Sequence, residues 1–400
     1  MRILHTADWH LGKKLEFFNR LEEQQQVLAE ICQIATDQAV DMVIVAGDLF
    51  DNANPSNEAT ELLYKTLKKL AKNGKVPVIA IAGNHDSPSR VNVADVLARE
   101  SGIIFIGYPT DVVPKFELEE GFKVQQTAVG FIEIQLPQYD FPIRLLHTAF
   151  ANEVRLKEFF GEDKQQSLQE SLSDKWKSLA DQYCDENGVN LLTTHLYMLK
   201  RGGAILEESE GERPLNIGTA DLIYSDAIPP QIQYAALGHL HKYQDVGDKQ
   251  PVMYCGSPLS YSFSEAGQPK FVSIIDVVPG QKPEITSIPL RSGRTLERKL
   301  FANIEDATSW LSDNKNCLVE LTLEVENYLK SDERKQLYQT HDGIIHLIPR
   351  VKNIAHQKDG PTTIDLSQNM EDLFKDYFKS KYDGLEPNEE LMGLFKEILR

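Results

Sequence analysis

The first half of the 400-residue chain alternates short apolar runs with longer amphipathic stretches. The runs at 2–8, 41–47 and 76–83 are rich in aliphatic side chains and predict buried strands. Between them, residues 21–38 and 58–72 carry apolar side chains at helical spacing, which predicts two helices with one buried stripe each. Strands that alternate with helices indicate a layered α/β domain.

After this alternation the pattern returns mainly to strands. Residues 108–148 predict a more antiparallel section, and residues 154–186 are mostly helical in pattern. Further strands are predicted within 189–196, 233–240, 251–257 and 271–278.

Pro and Gly cluster at 278–284 and predict a domain boundary. Residues 317–327 then alternate apolar and polar side chains, as in a one-sided sheet of a small α+β domain. We therefore predict a main domain at 1–280, a small α+β domain at 281–355, and a linker with two amphipathic helices at 356–400. The apolar side chains of those helices are Leu373, Phe374, Tyr377, Phe378 and Tyr382 in the first, and Leu391, Leu394, Phe395, Ile398 and Leu399 in the second. Such helices either dock on the body or hold a helix of another protein.

Charge and cysteine content narrow the classes of function. The net charge of -18 does not favour polyanion binding by bulk electrostatics, so a phosphate ligand needs bound metal or a basic partner. The four cysteines form no CxxC pair, which indicates neither a disulfide framework nor a zinc site. Scattered cysteines of this kind are typical of reduced thiols in a cytoplasmic protein. The polar start of the chain and the lack of a long apolar run predict neither a signal peptide nor a membrane span.

Five of the predicted strands end in Asp, Asn or His. These side chains are Asp8 and His10, Asp48 and Asp51, Asn84, His85 and Asp86, His195, and the pair His239 and His241. Ligand sites in open α/β sheets lie outside the carboxyl ends of the strands, so we expect these groups to converge. Taken alone, the pair in "YAALGHLH" fits an ordinary strand end as well as a cation site, because residues i and i+2 of a strand share a face.

The combination of carboxylate, carboxamide and imidazole groups suits divalent metal. These candidate ligands are too many for one ion with an open position. They suit two ions joined by a bridging carboxylate, for which Asp48 is the natural choice. Gly47, Gly83 and Gly238 precede ligands, where we expect the chain to turn sharply.

The motifs "DWH", "GDLFD", "GNHD", the histidine of "LLTTHL" and "GHLH" resemble, in order and spacing, those of the calcineurin-like metallophosphoesterases. The stretches "LHTADWHLGK", "AGNHDSPSR" and "YCGSPLSYSFSE" are similar to the SbcD family, the nuclease subunits of bacterial double-strand-break repair complexes. The resemblance implies an α/β sandwich of two mixed sheets flanked by helices, with a small α+β capping domain and C-terminal helices.

The resemblance also implies roles for individual side chains and two divalent metals, of which the family prefers Mn²⁺. One metal would be held by Asp8, His10, Asp48 and His241, and the other by Asp48, Asn84, His195 and His239. His239 and His241 would therefore serve different metals, and a water between the metals would attack the phosphodiester.

Residues beside the ligands are candidates for the remaining chemistry. His85 is expected to act as general acid or to stabilise the leaving oxygen. The carboxylate of Asp51 is expected to orient His85, a helix or turn cap being the alternative. Asp86 is expected to form a cap or a loop hydrogen bond and not to act in catalysis. Arg90, Ser257 and Tyr261 are candidate substrate contacts, although Arg90 fits a surface salt bridge equally well.

The chain has no P-loop motif, and the resemblance supplies an ATPase as partner. It implies a DNA nuclease subunit that acts in repair, recombination and replication. Its residues 373–399 would grip the coiled-coil base of an SbcC-type ATPase, in a homodimer within a heterotetramer. The activities implied are ATP-dependent double-strand exonuclease and single-strand or hairpin endonuclease. The alternatives are a small-molecule or cyclic-nucleotide phosphodiesterase, and a non-catalytic scaffold, which the complete ligand set disfavours.

Overall fold

The computed structural model of the chain describes most of its residues and divides into two compact units. The described residues are 1–158, 164–206, 208–209, 222–325, 329–351, 370–381, 386–387, 391–392 and 395. One unit comprises Met1–Arg298 and Asn316–Glu320, and the other comprises Lys299–Lys315 and Leu321–Arg400.

The first unit is built from β-strands with helices between them. Its strands are β1 (Arg2–Thr6), β2 (Lys14–Leu15), β3 (Phe18–Asn19), β4 (Met42–Val45), β5 (Val78–Ile81), β6 (Ile103–Ile106), β7 (Phe116–Glu117), β8 (Lys123–Ala128), β9 (Phe131–Gln135), β10 (Ile143–Thr148), β11 (Val189–His195), β12 (Tyr197–Leu199), β13 (Leu222–Tyr224), β14 (Tyr234–Gly238), β15 (Gln244–Asp245), β16 (Val252–Tyr254), β17 (Phe271–Asp276) and β18 (Glu284–Pro289). Its helices are α1 (Leu21–Asp37), α2 (Asn57–Ala71), α3 (Pro88–Val91), α4 (Asp95–Arg99), α5 (Glu153–Leu156) and α6 (Lys164–Tyr183). Single 3-10 turns lie at Lys72–Gly74, Asn92–Ala94, Ser225–Ala227 and Phe263–Glu265.

Two mixed sheets form the centre of this unit. The first has the strand order β18–β17–β1–β4–β5–β6, in which β1, β4, β5 and β6 are parallel and β17 is antiparallel to both of its neighbours. The second has the order β15–β16–β14–β11–β10–β9–β8–β7, with β10, β11, β14 and β16 parallel and the rest antiparallel. The expected α/β sandwich of mixed sheets is confirmed.

The helices cover the sheets through the stripes that the sequence predicts. On α1, Val27, Leu28 and Ile31 are buried, as the helical spacing indicated. The strands β4 and β5 are buried along their whole length, which explains why they read as continuous apolar runs.

A small sheet and further helices follow toward the end of the chain. The strands β19 (Thr295–Phe301), β20 (Cys317–Val325) and β21 (Ile344–Val351) form a sheet in that order, and the helices are α7 (Ile304–Asp313), α8 (Ser331–Thr340) and α9 (Met370–Lys381). On β20, Leu321 and Leu323 are buried while Thr322 and Glu324 are half-buried, so the predicted alternation is confirmed.

The predicted linker at 356–363 lies outside the described residues, as do Tyr382, Leu394, Ile398 and Leu399. The predicted first terminal helix is present as α9, and its Phe374 stacks on Phe395 with ring centroids 4.0 Å apart. Within the described part of the chain, no helix has the length and apolar character needed to cross a membrane.

Candidate metal centre

The predicted ligands converge at the carboxyl ends of strands from both sheets. Those of the first sheet follow β1, β4 and β5, and those of the second end β11 or follow β14. Four of these side chains sit on backbone with positive φ: Asp8 (54°), His10 (45°), Asp48 (48°) and His239 (112°). Residues other than glycine rarely adopt a positive φ, and strained backbone of this kind clusters at functional sites.

The interpretation of His239 and His241 as strand neighbours on one face is wrong. Strand β14 ends at Gly238, so both histidines lie in the loop that follows it. The positive φ of His239 turns the chain at that point, so the two residues do not share a strand face.

The predicted sharp turn is present at Gly47 and absent at Gly83 and Gly238. Gly47 has a φ of 94°, as a sharp turn requires. Gly83 and Gly238 have no positive φ, and the reason there is close approach: an added Cβ would lie 2.1 Å from Asp48 Oδ1 and 1.8 Å from the carbonyl oxygen of Ala46, respectively. Gly238 thus lets a loop of the second sheet meet the first sheet, and Gly83 lets two loops of the first sheet pack against each other.

One half of the centre is formed by Asp8, His10, Asp48 and His241. The Nε2 atoms of His10 and His241 lie 3.0 Å apart, and His10 Nε2 lies 3.5 Å from Asp48 Oδ2. Ligand atoms of Asp8, His10 and Asp48 all fall within 4.8 Å of one another. This is the spacing of atoms that share one cation.

The other half brings together Asp48, Asn84, His195 and His239. His195 Nε2 lies 2.9 Å from Asn84 Oδ1 and 3.4 Å from Asp48 Oδ2. The ring centroids of His195 and His239 are 5.6 Å apart. His195 Nδ1 lies 2.9 Å from the carbonyl oxygen of Ala46, which orients Nε2 toward the centre.

Asp48 stands between the two halves. Its Oδ2 faces His10 Nε2 and His195 Nε2 at nearly equal distances, while its Oδ1 accepts a hydrogen bond of 2.9 Å from the main-chain N–H of His85. One carboxylate oxygen is anchored by the protein and the other is shared, as expected of a group that joins two cations.

The charges of the centre fit divalent cations. Burial raises the pKa of the Asp8 carboxyl to about 7, and among the described residues its buried Oδ2 has no hydrogen-bond partner. Burial also opposes the charged form of Asp48, but the imidazoles of His195 and His10 outweigh it and hold the pKa of Asp48 well below its usual range. A buried acidic group with an unmatched oxygen requires a positive partner, which a metal ion supplies.

His85 lies beside Asp51, as expected. Its Nδ1 lies 2.7 Å from the main-chain carbonyl oxygen of Asp51, and the carboxylate of Asp51 pairs with Lys13 at 3.2 Å. Ligand atoms of His10, Asp51 and His85 lie within 4.8 Å of one another, so orientation of His85 by the Asp51 carboxylate stays a prediction, to which the structure adds the carbonyl contact. His85 packs edge-on against His10, with centroids 4.8 Å apart.

Asp86 makes the predicted loop hydrogen bonds. Its buried carboxylate accepts from the main-chain N–H groups of Leu49, Phe50 and Gly83, at 2.8 to 3.0 Å. From the other side, Arg155 of α5 donates to the carbonyl oxygens of Gly83 and Asp86, both at 2.8 Å. These contacts hold the loops of Asp48 and His85 in register.

The candidate substrate contacts lie in different environments. Arg90 is exposed and donates to Asn54 Oδ1, so its surface partner is an amide and not the carboxylate of a salt bridge. Ser257 and Tyr261 are buried, which contradicts a position along an open substrate path. The ring of Tyr261 packs edge-on against His10 and His241, with centroids 5.5 and 6.0 Å away.

Two glutamates that the sequence reading missed contact the histidines of "GHLH". Glu208 Oε1 lies 2.6 Å from His239 Nε2, and Glu265 Oε1 lies 3.2 Å from His241 Nδ1. Glu208 belongs to a polar stretch without periodicity, so the sequence carries no signal for it. Glu265 ends "SYSFSE" and is the one acidic residue in that apolar and hydroxyl-rich stretch. Its isolation there is a sequence signal for a buried carboxylate with a specific partner.

Comparison with known proteins gives results of three kinds. A family model described as calcineurin-like phosphoesterase matches residues 1–243. The SbcD subunit of the SbcCD nuclease of Bacillus subtilis is 34% identical over 100% of this chain and 97% of its own length, and that of Staphylococcus epidermidis is 32% identical over 74% and 71%. The solved structure of the protein TT1561 of Thermus thermophilus aligns with 72% of this chain and 98% of its own, at 12% identity and a TM-score of 0.35.

The family model spans more than half of the chain and includes each predicted ligand. The chain is a metal-dependent phosphodiester hydrolase that belongs to the calcineurin-like phosphoesterase family, within the group formed by the SbcD subunits of SbcCD nucleases.

Proposed function

We propose that the chain is a DNA nuclease subunit that hydrolyses phosphodiester bonds with two divalent metal ions, Mn²⁺ being the expected metal. The observation that carries the proposal is the convergence of His10 and His195 on one oxygen of Asp48. The likeness to SbcD subunits of SbcCD nucleases along the full chain supports DNA as the substrate.

The ligand sets follow from the two halves of the centre. Asp8, His10, Asp48 and His241 would hold one metal, and Asp48, Asn84, His195 and His239 would hold the other. When bound, two such ions lower the pKa of a water and neutralise charge on a phosphate.

The protein supplies orientation and a proton to this chemistry. The main-chain carbonyl oxygen of Asp51 lies 2.7 Å from His85 Nδ1 and orients the ring, which packs edge-on against His10. From this position His85 donates a proton to, or hydrogen-bonds, the oxygen that leaves phosphorus.

Association with an SbcC-type ATPase, and the ATP dependence that goes with it, is the second part of the proposal. The helix α9 supports it: Tyr377 is 49% exposed, and Phe374 stacks on Phe395 beside it. An amphipathic helix of this kind fits a coiled-coil base. The ATPase would also supply basic surface for DNA, which a chain of net charge -18 does not offer in bulk.

Pairing of two copies within a heterotetramer is supported by an exposed apolar face. Val93, Val96 and Leu97, at and beside α4, are 80%, 69% and 78% exposed. Three neighbouring large apolar side chains on one short stretch are unusual for a surface that stays in water. Leu97→Asp should lower the mass measured by light scattering from two copies to one, and an unchanged mass would move the pairing surface elsewhere.

The nuclease proposal is tested with linear duplex and hairpin DNA, with and without Mn²⁺, ATP and the ATPase. We expect Mn²⁺-dependent cleavage of single-stranded and hairpin DNA, and duplex degradation only with the ATPase and ATP. Asp48→Asn is the matched inactive control. Hydrolysis of cyclic nucleotides with no cleavage of any DNA would replace the proposal with a small-molecule phosphodiesterase.

The partner proposal is tested by co-purification with the ATPase. Truncation after His356, or the single change Tyr377→Asp, should abolish co-purification while Mn²⁺-dependent cleavage of single strands persists. Lys375→Ala, on the same helix, is the control and should still co-purify. Retention of the ATPase by the truncated chain would contradict the assignment of residues 373–399.

A further inference from the structure

Glu265 is a buried carboxylate that lies outside the proposed ligand set. Its side chain is 1% exposed, at the end of the 3-10 turn Phe263–Glu265. It contacts Nδ1 of His241, whereas Nε2 of the same ring faces His10 at 3.0 Å. The imidazole of His241 therefore spans the space between Glu265 and the metal centre.

A network of donors holds Glu265 in place. Lys270 Nζ pairs with its Oε2, and the main-chain N–H of Tyr261 donates to its Oε1 at 3.0 Å. Lys270 also donates to Ser257 Oγ at 2.9 Å and to the main-chain carbonyl oxygen of His241 at 3.1 Å. The same pair of charges thus holds both the side chain and the main chain of His241.

Stability alone does not explain why the ion pair of Glu265 and Lys270 is buried. A carboxylate and an ammonium lose their hydration when they are buried, and a protein with apolar residues of similar size in their place is often as stable. Histidines that bind metals commonly donate their outer N–H to a carboxylate, which fixes the tautomer and the direction of the ring. The geometry of Glu265 and His241 matches that arrangement.

We propose that Glu265, supported by Lys270, is a positioning residue of the metal centre that holds His241 with its proton on Nδ1 and with Nε2 directed at the metal shared with His10. The proposal rests on the ligand role proposed above for His241. It gives a functional reason for the buried ion pair between Glu265 and Lys270.

The first test measures metal binding and not cleavage. Mn²⁺ is titrated by calorimetry into the full-length wild type, Glu265→Gln and Glu23→Gln. Glu23 is the matched control: it is also buried and ion-paired, and its carboxylate binds Arg20 and Arg294 and not a histidine. Loss of an outer carboxylate typically weakens metal binding about 10- to 100-fold.

We expect Glu265→Gln to weaken one of the two Mn²⁺ sites by about that factor, to leave the other nearly unchanged, and Glu23→Gln to alter neither. Unchanged binding in Glu265→Gln, or equal weakening in both variants, would overturn the proposal in favour of a purely structural ion pair. Two-site Mn²⁺ binding without DNA cleavage would overturn the nuclease proposal and leave this one standing. A wild type that binds no Mn²⁺ would overturn both.

The second test needs no variant at position 265, so it holds even if Glu265→Gln does not fold. Nitrogen-15 NMR of the histidines in zinc-loaded wild-type protein, with His241→Ala used for assignment, reports which ring nitrogen carries the proton. We expect Nδ1–H for His241. A proton on Nε2 would overturn the proposal.

Discussion

The two histidines of "GHLH" are two residues apart, yet the protein supports them in different ways. His241 is backed by Glu265, Lys270, Ser257 and Tyr261, each at most 9% exposed and joined in one hydrogen-bonded network. His239 is backed by Glu208, whose side chain is 12% exposed and which lies in an irregular stretch of polar sequence. The same local motif thus meets a buried hydrogen-bonded network on one side. On the other it meets the partly exposed carboxylate of Glu208 and the edge-on ring of Tyr197, whose centroid lies 6.1 Å from that of His239.

This difference predicts two metals of unequal affinity. A ligand that is already oriented before the metal binds loses less freedom on binding. We therefore expect the metal of His10 and His241 to bind more tightly than that of His195 and His239. Asp48 belongs to both ligand sets. The two affinities can therefore be compared in a variant of Asp48, in a variant that changes no ligand, and in variants that change the support of one histidine alone.

The largest effect is expected from Asp48→Asn, which acts on both halves at once. The amide keeps the shape but loses the charge that His10 and His195 share. We expect loss of both high-affinity Mn²⁺ ions in calorimetry, and a fall in hydrolysis of bis(p-nitrophenyl) phosphate of more than about 10³-fold. Retention of one tightly bound Mn²⁺ would show that Asp48 serves only one side.

His85→Ala separates chemistry from metal binding. His85 touches the centre through its main-chain N–H to Asp48 and through its ring, and the substitution keeps the main-chain bond. We expect both Mn²⁺ affinities to persist while cleavage falls by about 10² to 10⁴. Loss of either metal in this variant would move His85 from the proton-transfer role into a ligand set.

Glu208→Gln tests the weaker side alone. The substitution removes the charge that contacts His239 at 2.6 Å, so the weaker Mn²⁺ site should lose about 10-fold in affinity while the tighter site is unchanged. Measured beside Glu265→Gln, it should give the opposite pattern of affected sites. If both variants weaken the same site, the division of the centre between His239 and His241 is incorrect.

The sequence was informative where spacing and physical chemistry act locally. Apolar runs ending in Asp, Asn or His located the loops that hold the candidate ligands, because the carboxyl ends of strands are where α/β sheets open to ligands. The two mixed sheets followed from the family resemblance. The alternation of apolar and polar residues in β20 and the apolar stripe on α1 were also predicted correctly, because each depends on burial of one face.

What the sequence did not show depends on contacts between distant segments. His85 Nδ1 also meets the main-chain carbonyl oxygen of Asp51, a group that every residue carries, so no side-chain pattern could reveal this contact. The need for Gly238 comes from Ala46, almost two hundred residues away, and not from a local turn. Glu208 and Glu265 reach their histidines only after the sheets have brought remote loops together.

The smallest effect is expected from Tyr261→Phe. The ring of Tyr261 covers His10 and His241, and its hydroxyl donates to the carbonyl oxygen of Trp9 and accepts from Gln24 at 3.1 Å. Phenylalanine keeps the cover and loses the hydroxyl, which should lower the free energy of unfolding by about 1 kcal/mol. The tighter Mn²⁺ affinity and KM for single-stranded DNA should stay within a factor of two or so.

Tyr261→Ala is the companion variant, because it removes the cover as well as the hydroxyl. It should expose the rings of His10 and His241 to water and weaken the tighter Mn²⁺ site, which the phenylalanine variant leaves intact. A rise in KM in Tyr261→Phe with both Mn²⁺ affinities unchanged would instead restore Tyr261 as a substrate contact. In that case Tyr261, in the network that supports His241, would contact DNA as well as orient a metal ligand. The two sides of the centre would then differ in DNA binding as well as in Mn²⁺ affinity.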